Sequence, residues 1–224
     1  MMSGRGQAVN ATVADSVALE LRGRIVDGTL PGGERLRQDA VARELGVSQT
    51  IAREAFRLLQ GEGFLDIEPR KGARIRPLSS GEVLEITALR RLLEAQALEW
   101  AIPALTEADF ASAEAVLAEL DAATAVDDLL DLNARFHEIL YARCPAPRTL
   151  RLIGDLRLAF ERYLRVTWAE TPRRSTSQEE HREILSLCRE RKTAPACDCL
   201  KAHINRTGTV LVARLRELEA AETS

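Results

Sequence analysis

Between residues 13 and 26, apolar positions Val13, Val17, Leu19, Leu21, Ile25 and Val26 recur at near-helical spacing, with Asp15 as the N-cap and Gly28 as the stop. Residues 1–12, small and polar, are expected to form an arm. After the turn Leu30-Pro31-Gly32-Gly33, two short helical stretches over 38–45 and 48–60 follow, separated only by Gly46-Val47. Ala42, Leu45, Val47, Ile51, Ala55 and Leu58 can close a small core between them, which is the pattern of a helix-turn-helix. Past Gly61-Glu62-Gly63 the period shortens to two. Residues 64–68 and 73–76 read as strands around the turn Pro69-Arg70-Lys71-Gly72, and a hairpin directly behind a helix-turn-helix is a wing.

From residue 81 onward the strand pattern disappears. Six helices are expected, over 81–104, 107–123, 126–142, 147–170, 177–191 and 194–221, broken mainly by Pro103, Pro145, Pro147, Pro172 and Pro195 and the residues beside them. The expected fold is therefore mainly α: a winged helix-turn-helix domain over 1–78 with a small β-hairpin, then an all-α six-helix domain over 79–224. A composition led by Ala, Leu, Arg and Glu agrees with it.

Neither a long apolar run nor a signal-peptide pattern occurs, so a soluble, cytoplasmic protein without membrane attachment is expected. Four cysteines with no CxxC pair read as reduced thiols, and Cys197-Asp198-Cys199 lacks zinc-knuckle spacing. The formal net charge of -3 gives no hint of nucleic acid until it is divided. Residues 1–77 carry 12 Lys and Arg against 10 Asp and Glu, whereas residues 78–224 carry 19 against 24. A mildly basic winged part suits phosphate contact, and an acidic helical part suits another task. Nine aromatic residues are too few for a platform on which single-stranded bases stack.

The second short helix opens Ser48-Gln49-Thr50-Ile51-Ala52-Arg53. In a helix-turn-helix this end enters the major groove, placing Ser48, Gln49 and Thr50 at base edges or phosphates and Arg53 on the backbone. Gln pairs with adenine where Arg would pair with guanine. Arg35 and the wing residues Arg70, Lys71 and Gly72 add contacts; the competing reading is that these are solvated polar residues of the kind common at a helix start.

Leu30-Pro31-Gly32-Gly33-Glu34-Arg35-Leu36, Ala42-Arg43-Glu44-Leu45-Gly46-Val47-Ser48 and Arg53-Glu54-Ala55-Phe56-Arg57-Leu58-Leu59 resemble the winged helix-turn-helix of GntR-family bacterial regulators. The resemblance implies that Arg35, Ser48, Gln49, Thr50, Arg53, Lys71 and Gly72 touch double-stranded DNA, and that a homodimer binds a near-palindromic operator. Gln49 and Ile51 stand where the family usually has Arg and Pro, which bears on the operator sequence and not on the fold.

All three histidines, His137, His181 and His203, lie in the acidic half and inside expected helices. Asn133 is one turn before His137 on the same face, and the 22 residues from His181 to His203 suit consecutive antiparallel helices. Three imidazoles and an oxygen can meet there as a metal site, or as a polar core satisfied without metal. Ile86, Arg90, Leu93 and Ala97 share a helix face, so Arg90 points inward and requires a carboxylate, from the protein or from a ligand.

Leu89-Arg90-Arg91-Leu92-Leu93-Glu94, Asn133-Ala134-Arg135-Phe136-His137, Glu180-His181-Arg182-Glu183-Ile184 and His203 resemble the FCD ligand-binding domain of the FadR subfamily. That resemblance implies a divalent metal, zinc foremost with nickel or manganese as alternatives, on Asn133, His137, His181 and His203. It also implies a small carboxylate effector at Arg90. Asn133 stands where the family has Asp, and a neutral amide weakens the hold on a dication. The expected function is a ligand-responsive transcriptional regulator, a repressor released by its effector. The competing reading is a metal-dependent enzyme on a small acid with an appended DNA-binding domain; no HExxH-type base supports it.

Overall fold

The computed structural model describes residues 4–26, 29–68, 72–168 and 174–222. The chain divides into two units, Met1–Leu78 and Ser79–Ser224, each built around its own apolar core.

In the first unit, helix α1 (Gly4–Val26) buries Ala14, Val17, Ala18, Leu21 and Ile25 on one stripe. It begins well before the expected start. The arm foreseen over residues 1–12 is helical from Gly4, and Asp15 is an exposed mid-helix residue instead of a cap. The apolar stripe starts only near Val13, so periodicity alone misses the preceding turns. Two alanines carry part of that stripe, leaving Leu19 outside it at 54% exposure.

Helices α2 (Gln38–Glu44) and α3 (Gln49–Gly61) form the helix-turn-helix. Gly46 supplies the left-handed turn between them at φ 65°. On α3, Ala52, Ala55, Phe56 and Leu59 are buried, and the Ser48 hydroxyl accepts from the Ile51 amide at 3.3 Å to cap the helix. Strands β2 (Leu65–Glu68) and β3 (Gly72–Ile75) make the expected hairpin. A third strand, β1 (Arg35–Leu36), was not expected, because two residues are too short to show an alternation. The order is β1-β3-β2, all antiparallel, with Arg35 opposite Arg74 and Leu65 opposite Ile75.

The second unit contains helices α4 (Ser80–Ala101), α5 (Glu107–Ala122), α6 (Val126–Tyr141), α7 (Pro147–Trp168), α8 (Arg174–Arg189) and α9 (Thr193–Glu222). A single 3-10 turn, Ile102–Ala104, carries the chain from α4 toward α5 around Pro103. Caps fix the helix starts: Ser79 accepts from the Glu82 amide, and Thr106 with Asp109 forms a reciprocal capping box. The core is aliphatic with Phe110, Phe136 and Tyr141. Helices α4 and α9 meet where a Cβ at Gly208 would lie 2.4 Å from Thr87 Oγ1, so only glycine allows this approach. Near the start of α4, Glu82 is held by Arg162 and by the Tyr163 hydroxyl, the latter donating at 2.5 Å. Among the described residues, no helix is long and apolar enough to cross a membrane.

Candidate functional site

The N-terminal turn of α3 presents Gln49, Thr50 and Arg53 to solvent. Ser48 is exposed too, but its hydroxyl is engaged in the cap. Arg35 is exposed on β1 beside Arg74, adding basic charge to the three-stranded sheet. Gly72 opens β3 at φ 92°, and a Cβ there would sit 2.5 Å from the Leu36 carbonyl oxygen. Its observed task is to let β1 approach β3. Lys71 and Arg70, expected at the wing tip, lie outside the described residues.

In the second unit, α6, α8 and α9 bring His137, His181 and His203 together in the interior, with ligand nitrogens all within 4.8 Å of one another. Partners on the Nδ1 side orient each ring. His203 Nδ1 lies 2.7 Å from Glu180 Oε2, His181 Nδ1 lies 3.0 Å from Gln178 Oε1, and His137 Nδ1 lies 3.4 Å from the Tyr141 hydroxyl. Both Glu180 and Gln178 Oε1 only accept, so the Nδ1 atoms donate and the Nε2 lone pairs are left facing inward. His181 and His203 oppose each other through Nε2 at 3.3 Å, and His137 Nε2 is buried with no hydrogen-bond partner. Two facing lone pairs and an orphaned nitrogen form an arrangement that a cation resolves. Burial lowers the affinity of all three rings for protons, which keeps them neutral and fit to bind a metal; neighbouring Arg157 reinforces this at His137 and His181.

Asn133, expected as the fourth ligand, is half-buried one turn before His137, and its backbone carbonyl accepts from Arg157 Nη2 at 3.2 Å. Glu180 in turn is shared between His203 and Arg206. Among the described residues, the convergent cluster contains imidazoles and no carboxylate.

Arg90 does point inward. Its Nε donates to Glu94 Oε1 at 2.6 Å, and its guanidinium stacks over Phe160 at 4.5 Å. The partner is thus a protein carboxylate, one of the two alternatives open at the sequence level. Glu94, fully buried, also accepts from the Tyr141 hydroxyl at 2.7 Å and lies 3.9 Å from Arg157 Nη1. Burial opposes its charge, but Arg90 and Arg157 outweigh that and hold its carboxyl below the ordinary range.

Sequence reasoning missed Glu94, Tyr141 and Arg157. Arg157 had a legible signal: Ile153, Arg157, Phe160 and Leu164 form one buried stripe on α7, the same inward-charge pattern that singles out Arg90. Glu94 is one turn beyond Arg90 and could have been read as its partner.

A winged helix-turn-helix and a helical unit enclosing a histidine cluster define the architecture of a ligand-responsive DNA-binding regulator. Residues 13–75 match the family described as "Bacterial regulatory proteins, gntR family", and residues 85–206 match the FCD domain. The chain is 32% identical over 193 residues to YdhC of Bacillus subtilis, an uncharacterized HTH-type transcriptional regulator, covering 83% of this chain and 85% of that one. It is 25% identical over 195 residues to the HTH-type transcriptional repressor GlaR of Escherichia coli, covering 82% and 89% respectively. A crystal structure of a GntR-family regulator from Pseudomonas syringae pv. tomato superposes with a TM-score of 0.58 at 33% identity, over 92% of this chain and 88% of that one. The protein belongs to the GntR family of bacterial transcriptional regulators and carries an FCD domain. The relatives are regulators, which leaves the enzyme reading without support.

Proposed function

We propose that this protein is a repressor whose helical unit senses a small carboxylate beside a divalent metal. The observation that carries the reading is the set of three inward-facing imidazoles with an orphaned Nε2, set beside a buried charge network of two arginines and one glutamate. Zinc suits three nitrogen ligands, with nickel and manganese as alternatives; His137, His181 and His203 would hold it, and the Asn133 amide would complete the set weakly. The ion would supply positive charge for an anionic ligand. Arg90 contributes to the same electropositive floor. The resemblance to the repressor GlaR, which spans 82% of this chain and 89% of that one, supports repression in particular.

On the DNA side, Gln49 and Thr50 would read bases while Ser48, Arg53, Arg35, Lys71 and Gly72 meet the backbone. A homodimer on a near-palindromic operator would place two such readers one turn apart.

Elemental analysis and thermal unfolding of the full chain, with zinc and simple organic acids added singly and together, test the sensor. Bound zinc, a raised melting temperature, and loss of both in His181→Ala are expected. Zinc-loaded protein with no acid-dependent shift would refute the carboxylate sensor, and no bound metal would refute the metal site. For the reader, Arg53→Ala should weaken operator binding uniformly and reduce the slope of log affinity against log salt by about 1. An unchanged slope removes Arg53 from the phosphate contacts.

A further inference from the structure

The outward face of the three-stranded sheet sets two arginines against each other. On β3, Ala73 and Ile75 are buried and Arg74 between them points to solvent, as alternation along a strand requires. Residues directly opposite on neighbouring strands lie on the same face, so the register puts Arg35 of β1, Arg74 of β3 and Asp66 of β2 in one row across the sheet. Arg76, two residues beyond Arg74, reaches the same row, with its Nε 4.0 Å from Asp66 Oδ2.

This juxtaposition works against the sheet. Cβ atoms of directly opposed residues are about 5 Å apart, and like charges at that separation are destabilising. The contact nonetheless depends on a special backbone: β1 approaches β3 because Gly72, at φ 92°, has no Cβ to meet the Leu36 carbonyl oxygen. The arginines have further partners in the folded chain. The row itself still reads plus, plus, minus, and Asp66, 66% exposed, is divided between Arg74 opposite and Arg76 beside it.

Positive charge gathered in this way calls for an anion, and the guanidinium fork matches the oxygens of a phosphate. The anion must also suit an exposed site. Water and salt screen a single small ion there, so that one surface pair is worth little. Duplex DNA instead presents a charge about every 1.7 Å of its axis, and each phosphate neutralised releases condensed counterions, which supplies the driving force that an isolated ion lacks.

We propose that Arg74 is a phosphate contact of the winged unit, gripping the DNA backbone beside the phosphate that Arg35 meets, and that Asp66 restrains this grip by repelling the same backbone. This rests on the reading of the winged unit as a DNA reader with Arg35 on the backbone, and adds to it the outward face of the sheet. A phosphate contact carries no sequence information, so it acts alike on every duplex and does not depend on Gln49 or Thr50 finding their bases.

The test titrates the full chain with a mixed-sequence duplex of about 30 base pairs at about 50 to 200 mM salt, alongside its Arg53→Ala, Arg74→Gln, Arg74→Lys and Asp66→Asn variants. Arg74→Gln should reduce the slope of log affinity against log salt by about 1 per winged unit bound, so that the affinity lost over that fourfold range of salt shrinks about 3.5-fold per unit, with the melting temperature unchanged. Arg74→Lys keeps the charge and should keep the slope. Asp66→Asn should bind the duplex more tightly than the unaltered chain at the lowest salt and lose that advantage as salt rises. An unchanged slope in Arg74→Gln beside a reduced slope in Arg53→Ala overturns the sheet contact and leaves the DNA reading standing. A full chain whose affinity for the duplex ignores salt instead overturns the DNA reading itself, and this proposal with it.

Discussion

Single residues decide what the interior tolerates. Glu94 is a fully buried acid facing two buried arginines, and replacing it by Gln keeps its shape while removing its charge. Breaking a buried pair by neutralising one partner costs about 3–5 kcal/mol, so Glu94→Gln should lower the stability of the helical unit by roughly that amount in denaturant unfolding. A loss below about 1 kcal/mol would show that the network is solvated more than its burial suggests. Much of this chemistry was legible in the sequence, because three histidines in a chain of 224 residues draw notice and helical spacing assigns them to separate helices. Arg157 was not noticed, although its stripe is as regular as that of Arg90. Ser48 illustrates a different limit. Its residue type suits both a cap and a DNA contact, and only the structure shows the hydroxyl accepting from the Ile51 amide.

At the level of elements, the long helices were readable nearly to their ends, α5 from its Thr106 cap and α6 from its apolar spacing although Ala125 gives it no side-chain cap. Elements lacking a periodic face were not. The first turns of α1 precede the apolar periodicity that begins at Val13, and β1 is only two residues long. Helix contacts that depend on a missing side chain are likewise invisible in a pattern of apolar positions. Gly208 is such a case. In an exposed helix Gly→Ala stabilises by about 1 kcal/mol, but here the new methyl would meet Thr87 Oγ1, Cγ2 and Cβ within 3.0 Å. Thr87 is β-branched and cannot swing aside easily. Gly208→Ala should therefore destabilise by about 1–3 kcal/mol, with partial rescue by Thr87→Ala in a double-mutant cycle. A stabilised Gly208→Ala would mean that α4 and α9 separate at no cost.

For the whole molecule, the two units have separate cores, so heating should not produce a single two-state transition. Metal added to chelator-treated protein should raise only the transition belonging to Ser79–Ser224. The same transition should respond to acid. The folded protein holds three imidazoles below their ordinary value of 6.5, so beneath that pH the unfolded chain takes up protons that the folded chain refuses. Metal-free stability should accordingly be flat above about pH 6.5 and fall as pH drops below it. A transition unmoved between pH 7.5 and 5.5, both about one unit from that value, would contradict neutral buried histidines.

Helix α7 carries Arg157 toward the histidines and, five residues later, Arg162, which with Tyr163 holds Glu82 in the first turn of α4. A helix rises about 1.5 Å per residue and bends little over so short a span. The guanidinium beside the histidines and the one gripping Glu82 are therefore two points on a single stiff rod, about 7.5 Å apart along its axis. Any tilt of that rod at one point is delivered as a pull at the other, and Glu82 stands four residues beyond Leu78, where the winged unit ends.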